Sequence, residues 1–364
     1  MTFKLAIFLP GLYGGGAERA MLNLADGFAQ RGLQVDLVVG VADGPLLEQI
    51  PESVHYVPLN VKRTLLVLPA LIRYLQSERP DTLLTALNRA NLAAIWAKQL
   101  SGISTRLVIS ERNTIVSGQQ QVSNLAERVY PFLGRLFYPQ ADGIVAVSQS
   151  VAEDVVRMMR VKSGLITVIE NPIITPSLRQ RAAEPLDHPW FGPAQPPVIL
   201  SAGRLSKQKD MSTLIRAFAQ TRSQTPARLM LLGEGPERPQ LEALIHELDL
   251  NDEVLMPGWV PNPIAYMREA ALFILCSRWE GLPGVLIEAL YTGVPVIGTD
   301  APGGTSEVLK DGLYGRLVPV GCVSRMAKVM EEMLSHPAQG APPESWQPYE
   351  LEQVLDRYEV VLRS

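Results

Sequence analysis

The first half of the chain alternates short apolar runs with segments whose apolar residues recur at helical spacing. Runs rich in Val, Ile and Leu are typical of buried strands, and the segments between them, such as "GGAERAMLNLADGFAQRG", have the apolar period of amphipathic helices. The predicted strands are 3–9, 35–39, 82–86, 106–109, 143–147 and 166–169. Regular alternation of this kind predicts parallel βαβ units.

The alternation stops between residues 172 and 197 and then resumes. This stretch has seven prolines and little apolar periodicity, which is typical of a linker and predicts a domain boundary. The strands predicted after it are 198–201, 228–232, 253–255, 272–275, 295–298 and 316–318. The expected fold is therefore α/β, with two doubly wound Rossmann-like domains, 1–172 and 173–345, that face each other across a cleft.

Length and composition agree with two α/β domains. The chain of 364 residues exceeds one ordinary core, and its net charge of −4 contains no block of like charge, so nucleic acid is not an expected partner. Cys276 and Cys322 are too few for a disulfide framework, which fits a reducing compartment and predicts a cytoplasmic location. The apolar runs are too short to span a bilayer.

One segment of the first half combines apolar and basic residues. Residues 124–139 mix Leu, Phe and Tyr with Arg128 and Arg135. A core-facing helix is the favoured interpretation, and contact with a membrane or a lipid acceptor is the alternative. Because the first half is net positive and the second net negative, the first domain is the one expected near an anionic membrane surface.

Four loops follow predicted parallel strands, and such loops form the ligand-binding edge of open α/β sheets. The first, "LPGLYGGGAER", brings Gly14 and Gly16 to a helix N-terminus, where backbone amides can bind an anion. Arg19 replaces the last glycine of a dinucleotide fingerprint, which argues against a dehydrogenase. An anion site and a plain tight turn both remain open for this loop.

The second and third loops carry cations and glycines. In "SAGRLSKQKD", Arg204 and Lys209 converge with Gly203 just before a helix, which favours a diphosphate site over two exposed cations on a turn. In "LLGEGPERPQLEALI", Gly233 and Gly235 allow the close backbone passage that a base or ribose requires. A βα turn without a ligand is the alternative there.

The fourth loop, "CSRWEGLPGVLIEAL", contains two glutamates. Glu280 lies in the loop and Glu288 lies inside the following apolar helix, where a carboxylate needs hydroxyl or cationic partners. One carboxylate can hold a ribose diol and the other a hexose, with the amides of Gly281 and Leu282 facing the same site. A helix cap for Glu280 and an internal salt bridge for Glu288 are the alternatives.

Together these loops resemble one family. The segments "GRLSKQKD", "GEGP" and "SRWEGLPGVLIEALYTGVPVIGTDAPGGTSEVLKDGLYGRLVP" resemble the retaining nucleotide-sugar glycosyltransferases of family 4, which have the two-Rossmann architecture called GT-B. The first glycine loop and its helix also resemble this family, so the resemblance covers nearly the whole chain. It implies that the helix predicted at 346–362 lets the C-terminal residues, 346–364, rejoin the first domain, and that domain closure assembles the site.

The resemblance also implies roles for individual residues. Arg204 and Lys209 would neutralise the donor diphosphate, and Glu280 would hold the transferred sugar while Glu288 holds the ribose. The residues implied to bind the donor are Gly15, Gly16, Gly203, Gly235, Gly281, Leu282 and Glu288. Retention of configuration by front-side attack is implied as well. No cofactor is expected, because the chain has no D-x-D pair and its four histidines lack metal-ligand spacing.

The acceptor side departs from the family pattern. Many relatives have a histidine after a middle strand of the first domain, where this chain has "VISERNTI". Glu18, Arg112 and Asn113 are the candidate acceptor residues, and structural pairing of Arg112 is an equal alternative. The acceptor implied is a glycan or glycolipid on the inner face of the membrane, with peripheral attachment of the enzyme.

The donor and the activity leave alternatives. "TDAPGGTSEVL" resembles the branch that uses UDP-linked hexoses or N-acetylhexosamines for surface polysaccharides and lipid-linked oligosaccharides, and GDP-mannose is the competing donor. A UDP-N-acetylglucosamine 2-epimerase and a non-catalytic partner subunit are disfavoured, because Arg204, Lys209, Glu280 and Glu288 are all present.

Overall fold

The computed structural model describes residues 3–61, 66–114, 125–336 and 340–364, with the backbone alone described at 125–128. The chain divides into two compact units. One contains the residues up to Pro172 together with Tyr349–Ser364, and the other contains Ile173–Pro348. Each unit is an α/β layered structure built on its own parallel sheet.

The described part of the first unit has seven parallel strands in the order β3-β2-β1-β4-β5-β6-β7. The strands are β1 Lys4–Leu9, β2 Gln34–Val39, β3 His55–Pro58, β4 Thr82–Ala86, β5 Arg106–Glu111, β6 Gly143–Ala146 and β7 Ile166–Val168. The helices between them are α1 Gly16–Gln30, α2 Val67–Glu78, α3 Asn88–Ser101, α4 Leu125–Phe137 and α5 Gln149–Met159.

The second unit repeats this plan with six strands in the order β10-β9-β8-β11-β12-β13. The strands are β8 Val198–Ala202, β9 Arg228–Leu232, β10 Val254–Gly258, β11 Leu272–Leu275, β12 Val296–Thr299 and β13 Arg316–Val318. The helices are α6 Pro176–Ala183, α7 Met211–Arg222, α8 Arg238–Glu247, α9 Pro263–Glu269, α10 Gly284–Thr292, α11 Thr305–Val308 and α12 Val323–Ser335. A last helix, α13 Leu351–Arg363, belongs to the first unit.

Both strand orders are those of Rossmann-like sheets, so the two-domain α/β prediction is confirmed. In each sheet the order reverses once, between β1 and β4 and between β8 and β11. Open α/β sheets bind ligands at the carboxyl ends of the strands beside such a reversal. The central strands are buried on both faces, which explains why they appear in the sequence as continuous apolar runs.

Strand β3 was not predicted from the sequence. It lies at the edge of the first sheet, and its residues, "HYVP", are only partly buried. A short, polar edge strand lacks the apolar run that marks the central strands. Its pairing with β2 is supported by His55, whose Nδ1 lies 2.9 Å from Oδ1 of the buried Asp36.

The prediction that residues 172–197 form a linker is wrong in part. Residues 176–183 form α6, whose N-cap Thr175 accepts a hydrogen bond from the Leu178 amide at 3.1 Å. The side chain of Asn262, which precedes α9, donates to the Arg181 carbonyl at 2.8 Å and so fixes α6 on the second unit. The proline at the first helical position begins this helix rather than preventing it.

The C-terminal helix begins later than the predicted residue 346. Trp346 remains in the second unit, where it packs edge-to-face on Tyr291 with ring centroids 5.0 Å apart. Helix α13 starts at Leu351 and packs on α1. The Thr82 hydroxyl donates to the Leu362 carbonyl at 2.8 Å, so the end of the helix is attached to β4.

Helix α4 combines a buried face with an exposed apolar one. Tyr130 is 7% exposed, whereas Phe132 and Leu136 are 61% and 52% exposed. The core-facing interpretation of 124–139 therefore holds for one face only, and residue 124 lies outside the described ranges. No helix within the described ranges is long and apolar enough to cross a bilayer.

Candidate functional site

The reversal point of the second sheet brings together two of the sequence-predicted site residues. Strands β8 and β11 are neighbours, with Leu200 opposite Phe273, so the loops that follow them share one edge. Lys209 Nζ lies 2.6 Å from Glu280 Oε1, and the two side chains are 16% and 8% exposed. A largely buried cation and acid, 71 positions apart in sequence, thus form one ion pair.

Glu280 is held from three sides. The Ser277 hydroxyl donates to the same Oε1 at 2.6 Å, and the Glu280 amide donates to the Pro302 carbonyl at 3.0 Å. Gly303 has φ of +115°, and a Cβ there would lie 1.7 Å from the Glu280 carbonyl oxygen. Only glycine fits this contact, so the loop after β12 supports the position of Glu280.

The segment before Lys209 is joined to the Glu280 loop by backbone contacts. The Arg278 amide donates to the Gln208 carbonyl at 2.7 Å, and the Gln208 side chain donates to the Trp279 carbonyl at 2.9 Å. The buried thiol of Cys276 donates to the Lys209 carbonyl at 2.9 Å, and burial raises the pKa of this thiol far above its usual range. These contacts hold the Lys209 and Glu280 loops against each other.

The glycines of the third loop serve a contact between loops. A Cβ at Gly233 would lie 2.1 Å from the Gly203 carbonyl oxygen, and one at Gly235 would lie 2.2 Å from the Leu205 carbonyl oxygen. The loops after β8 and β9 therefore cross at backbone distance. Close packing of the two loops therefore explains the glycines at 203, 233 and 235, and this role was not predicted from the sequence.

The other residues predicted to bind the donor differ in their surroundings. Arg204 is exposed and forms no ion pair with any residue that the structure describes. Glu288 is half-buried on α10. Gly281 is buried, and its carbonyl accepts a hydrogen bond from the Gly304 amide at 3.0 Å. Leu282 is half-buried, and its amide donates to no acceptor within the described ranges.

The charges of this site suit an anionic ligand that also carries hydroxyl groups. The guanidinium of Arg204 and the ammonium of Lys209 can neutralise phosphate oxygens, since charge-assisted hydrogen bonds to such oxygens are among the strong ones. The Glu280 carboxylate, next to Lys209, can accept hydrogen bonds from hydroxyl groups. No group of three or more His, Cys, Asp or Glu in the described residues is arranged to hold a metal ion.

The glycine loop of the first unit precedes α1, whose N-cap is Gly15. Gly16 is exposed with open space beside it, so the loop can be approached from solvent. Glu18, 7% exposed, lies at the third helical position, and a Cβ at Gly15 would lie 2.3 Å from Glu18 Oε2. Its carboxylate therefore lies against the Gly15 backbone at the helix N-terminus, and its predicted role toward an acceptor stays a prediction.

Arg112 is a structural residue of the first unit. It is 5% exposed, and its guanidinium donates to the Asn171 side chain and, at 3.1 Å, to the Tyr358 hydroxyl of α13. These contacts agree with the structural pairing of Arg112 that was the alternative to an acceptor role. Asn113, the next residue, is exposed.

Glu111, at the end of β5, is buried and forms no ion pair with any side chain that the structure describes. The hydroxyls of Tyr138 and Tyr130 donate to its Oε2 at 2.7 and 3.1 Å, whereas Oε1 has no partner within the described residues. Burial raises the pKa of this carboxyl to about 7, despite the two hydrogen bonds, which lower it. The two tyrosines connect Glu111 to α4 and to the turn that follows it.

Sequence reasoning missed the supports of Glu280. Ser277, Pro302 and Gly303 were not named as site residues, although each contacts Glu280. A serine three positions before the glutamate was a usable local signal, because it follows the same buried strand. The Gly-Gly pair after β12 could be connected to Glu280 only through the sheet order.

Comparison with known proteins identifies the family. The family model described as "Glycosyltransferase Family 4" matches residues 14–175, and that described as "Glycosyl transferases group 1" matches residues 187–349. The chain is 34% identical over 341 residues, 91% of this chain and 90% of the relative, to the Campylobacter jejuni N-acetylgalactosamine-N,N'-diacetylbacillosaminyl-diphospho-undecaprenol 4-alpha-N-acetylgalactosaminyltransferase. The chain belongs to glycosyltransferase family 4. The resemblance read from the sequence is thereby confirmed.

Two further comparisons agree with the assignment of this chain to family 4. The Rhizobium meliloti lipopolysaccharide core biosynthesis glycosyltransferase LpsE is 27% identical over 88% of this chain and 86% of its own length. The crystal structure of Anabaena Alr3699/HepE in complex with UDP-glucose has a TM-score of 0.78 at 22% identity, and the match covers 99% of each chain. The fold of this family 4 glycosyltransferase is therefore GT-B.

Proposed function

We propose that this glycosyltransferase moves a hexose or N-acetylhexosamine from a UDP sugar to a hydroxyl of a glycan or glycolipid, with retention of configuration and without a metal ion. The observation that carries the proposal is the ion pair of Lys209 and Glu280 at the reversal point of the second sheet, 2.6 Å between Nζ and Oε1. In this pair the lysine can bind the diphosphate, and the carboxylate can accept hydrogen bonds from the sugar. The two groups can therefore hold both sides of the bond that joins a diphosphate to a sugar.

The donor is proposed to bind with its diphosphate at Arg204 and Lys209. Arg204 is exposed and free to turn toward the phosphates, whereas Lys209 is already oriented by Glu280. Glu280 accepts hydrogen bonds from the transferred sugar, and Glu288 on α10 accepts them from the ribose. The amide of Leu282 donates to the same ligand.

The reaction breaks the bond between the sugar C1 and the diphosphate oxygen and forms a bond from C1 to the acceptor oxygen. The acceptor hydroxyl attacks from the side of the leaving group, and its proton passes to the departing phosphate oxygen. Negative charge increases on that oxygen in the transition state, so Arg204 and Lys209 stabilise the transition state more than the bound donor. These two cations supply at the leaving group the positive charge that a metal ion would otherwise supply.

The choice of donor and acceptor is supported by the relatives. UDP and UDP-glucose are bound in crystal structures of Anabaena Alr3699/HepE, and the Campylobacter jejuni relative is named as an N-acetylgalactosaminyltransferase of a diphospho-undecaprenol glycan. A lipid-linked glycan at the inner leaflet is the acceptor we propose, with the enzyme attached peripherally. The exposed Phe132 and Leu136 of α4, next to Arg135, support this attachment.

Thermal stabilisation by nucleotide sugars tests the donor proposal. We expect UDP and UDP sugars to raise the melting temperature of the wild type, because a ligand that binds only the native state stabilises it. In Lys209→Ala the affinity for UDP is expected to fall roughly 10- to 100-fold, since a charge-assisted hydrogen bond is lost. Lys207→Ala, an exposed lysine two positions away in the same loop, is the matched control and keeps the wild-type affinity.

Other outcomes would change the proposal in defined ways. Full UDP affinity and turnover in Lys209→Ala would show that Lys209 does not bind the diphosphate. Stabilisation by GDP-mannose alone would show that the donor is GDP-mannose rather than a UDP sugar.

The anomeric configuration of the product, read by NMR, tests retention. Turnover that survives EDTA is expected, and turnover that is lost with EDTA and restored by Mg²⁺ or Mn²⁺ would contradict metal independence.

A further inference from the structure

Trp259 is a large aromatic residue exposed beside the donor site. It directly follows β10 and is 69% exposed. Within the described residues, no ring or cation contacts its indole. Aromatic side chains of this size are usually buried in large part, so an indole left open to solvent offers a free apolar face to a ligand.

The position of Trp259 follows from the order of the parallel strands. Strand β10 is separated from β11 by β9 and β8. Because these strands are parallel, the carboxyl end of β10 is on the same edge of the sheet as the Lys209 and Glu280 loops. Three strand spacings separate β10 from β11, about 14 Å at the usual spacing of parallel strands. That span is of the order of the distance from the sugar to the base in an extended nucleotide sugar.

The loop that carries Trp259 is attached to the third loop of the site. The Gly233 amide donates to the Gly258 carbonyl at 2.8 Å. A Cβ at Gly258 would lie 2.7 Å from Glu234 Oε1, so the Glu234 carboxylate lies over the residue just before Trp259. Glu234 is itself paired with Arg238 at 2.8 Å, which holds this region in place.

The helix after Trp259 adjoins the helix that carries Glu288. Helix α9, which starts at Pro263, packs against α10. A nucleotide with its diphosphate at Lys209 and its ribose at Glu288 therefore extends its base toward the end of β10, where Trp259 lies. Every nucleobase has a π-face that stacks on an aromatic ring.

We propose that the indole of Trp259 stacks on the nucleobase of the donor. The inference rests on the proposed function, because it takes the positions of the diphosphate and the ribose from it. It adds the residue that binds the base, which neither the glycines nor the charged residues of the site supply. Stacking accepts uracil and guanine alike, so Trp259 contributes affinity rather than the choice between them.

Titration of Trp259→Ala and Trp259→Phe with UDP tests the inference. We expect Trp259→Ala to raise the UDP Kd roughly 10- to 100-fold, as loss of one base–aromatic stack does. Trp259→Phe keeps a ring and is expected to stay within about threefold of the wild type, and inorganic pyrophosphate, which has no base, binds equally to all three proteins. Because Trp259 is exposed, both variants should melt at the wild-type temperature without ligand.

The outcomes separate this inference from the donor proposal. An unchanged UDP Kd in Trp259→Ala, with weak binding in Lys209→Ala, overturns the stacking and leaves the diphosphate site. A raised UDP Kd in Trp259→Ala with normal binding in Lys209→Ala overturns the diphosphate site and supports the stacking. A parallel loss of pyrophosphate binding in Trp259→Ala contradicts base stacking, because the effect would then not depend on the base.

Discussion

Glu111 shows how a single buried residue couples stability to pH. Among the described residues its carboxyl forms no ion pair, because the guanidinium of the neighbouring Arg112 is bound to Asn171 and Tyr358. The hydroxyls of Tyr130 and Tyr138 stabilise the ionised form only in part, so burial still raises the pKa to about 7. The folded protein therefore holds this proton more tightly than an unfolded chain, whose glutamates have the ordinary pKa of 4.5.

The sign of the pH dependence follows from this difference. A pKa raised in the folded state makes the free energy of unfolding fall as pH rises from about 4.5 to about 7, with little further change above. The loss is on the order of 3 kcal/mol for a shift of this size. In Glu111→Gln we expect this loss to disappear, measured by urea unfolding at pH 5, 6, 7 and 8.

Tyr130→Phe is the control for the Glu111 experiment, because it removes one hydrogen bond and keeps the carboxyl. That variant is expected to retain the fall in stability with pH. Parallel stability curves for the wild type and Glu111→Gln would show that Glu111 does not titrate in this range.

At the scale of the elements, the position of Glu280 depends on the loop after β12, which carries none of the charged groups of the proposed donor site. The loop after β12 brings Gly303 against the backbone of Glu280, where a Cβ would lie 1.7 Å from the carbonyl oxygen. A backbone atom cannot turn aside as a flexible side chain can. Any larger residue at position 303 must therefore displace the segment that positions Glu280.

If Glu280 has its proposed role, Gly303→Ala is expected to lower kcat/KM roughly 100-fold, since a shift of about 1 Å in a catalytic group has an effect of this size. Gly312→Ala is the matched control. Gly312 also has a positive φ, +96°, but a Cβ there would have no atom within 4 Å. Both variants should lose stability from backbone strain, and only Gly303→Ala should lose activity. Equal activities would show that the loop does not position Glu280.

The apolar pattern of each element explains whether it could be predicted from the sequence. Strands β8 and β11 are apolar along their length, and a helix follows the loop after each, as the sequence predicted. Residues 176–183 form a helix in a proline-rich stretch because one proline occupies the first helical position, where its missing amide costs nothing. Strand β3 has no apolar run, so only its pairing with β2 defines it.

At the scale of the whole molecule, the last helix is part of the first unit rather than an appendage. Tyr358 of α13 is fully buried, and its hydroxyl accepts a hydrogen bond from Arg112. Arg31, directly after α1, pairs with Glu352 at 2.6 Å and with Asp356 at 2.8 Å. The final residues of the chain therefore complete the core of the unit in which the chain begins.

Tyr358→Ala is expected to destabilise the first unit by about 3–5 kcal/mol, the usual loss for truncating a large buried aromatic residue. Calorimetry should show an earlier transition for that unit. The UDP Kd should stay unchanged at temperatures where the unit is folded, because Arg204 and Lys209, the residues proposed to bind the diphosphate, belong to the second unit.

Tyr358→Phe separates packing from hydrogen bonding. It keeps the ring and deprives the buried Arg112 of one acceptor, so a smaller loss of about 1–3 kcal/mol is expected. If Tyr358→Ala left the melting profile unchanged, α13 would not contribute to the core of the first unit.

The sequence alone determined the α/β class, the positions of the central strands and the family, because these depend on short-range periodicity and on local motifs such as the cations of "GRLSKQKD". The tertiary structure decided which of those residues meet. The contact of Lys209 with Glu280 and that of Gly303 with the Glu280 backbone exist because β8, β11 and β12 are neighbours in the sheet. It also decided that Arg112 turns inward, since its partners, Asn171 and Tyr358, are far from it in the chain and come near it only in the folded unit. Local patterns report how each segment folds, whereas the order of strands depends on contacts between residues far apart in the chain.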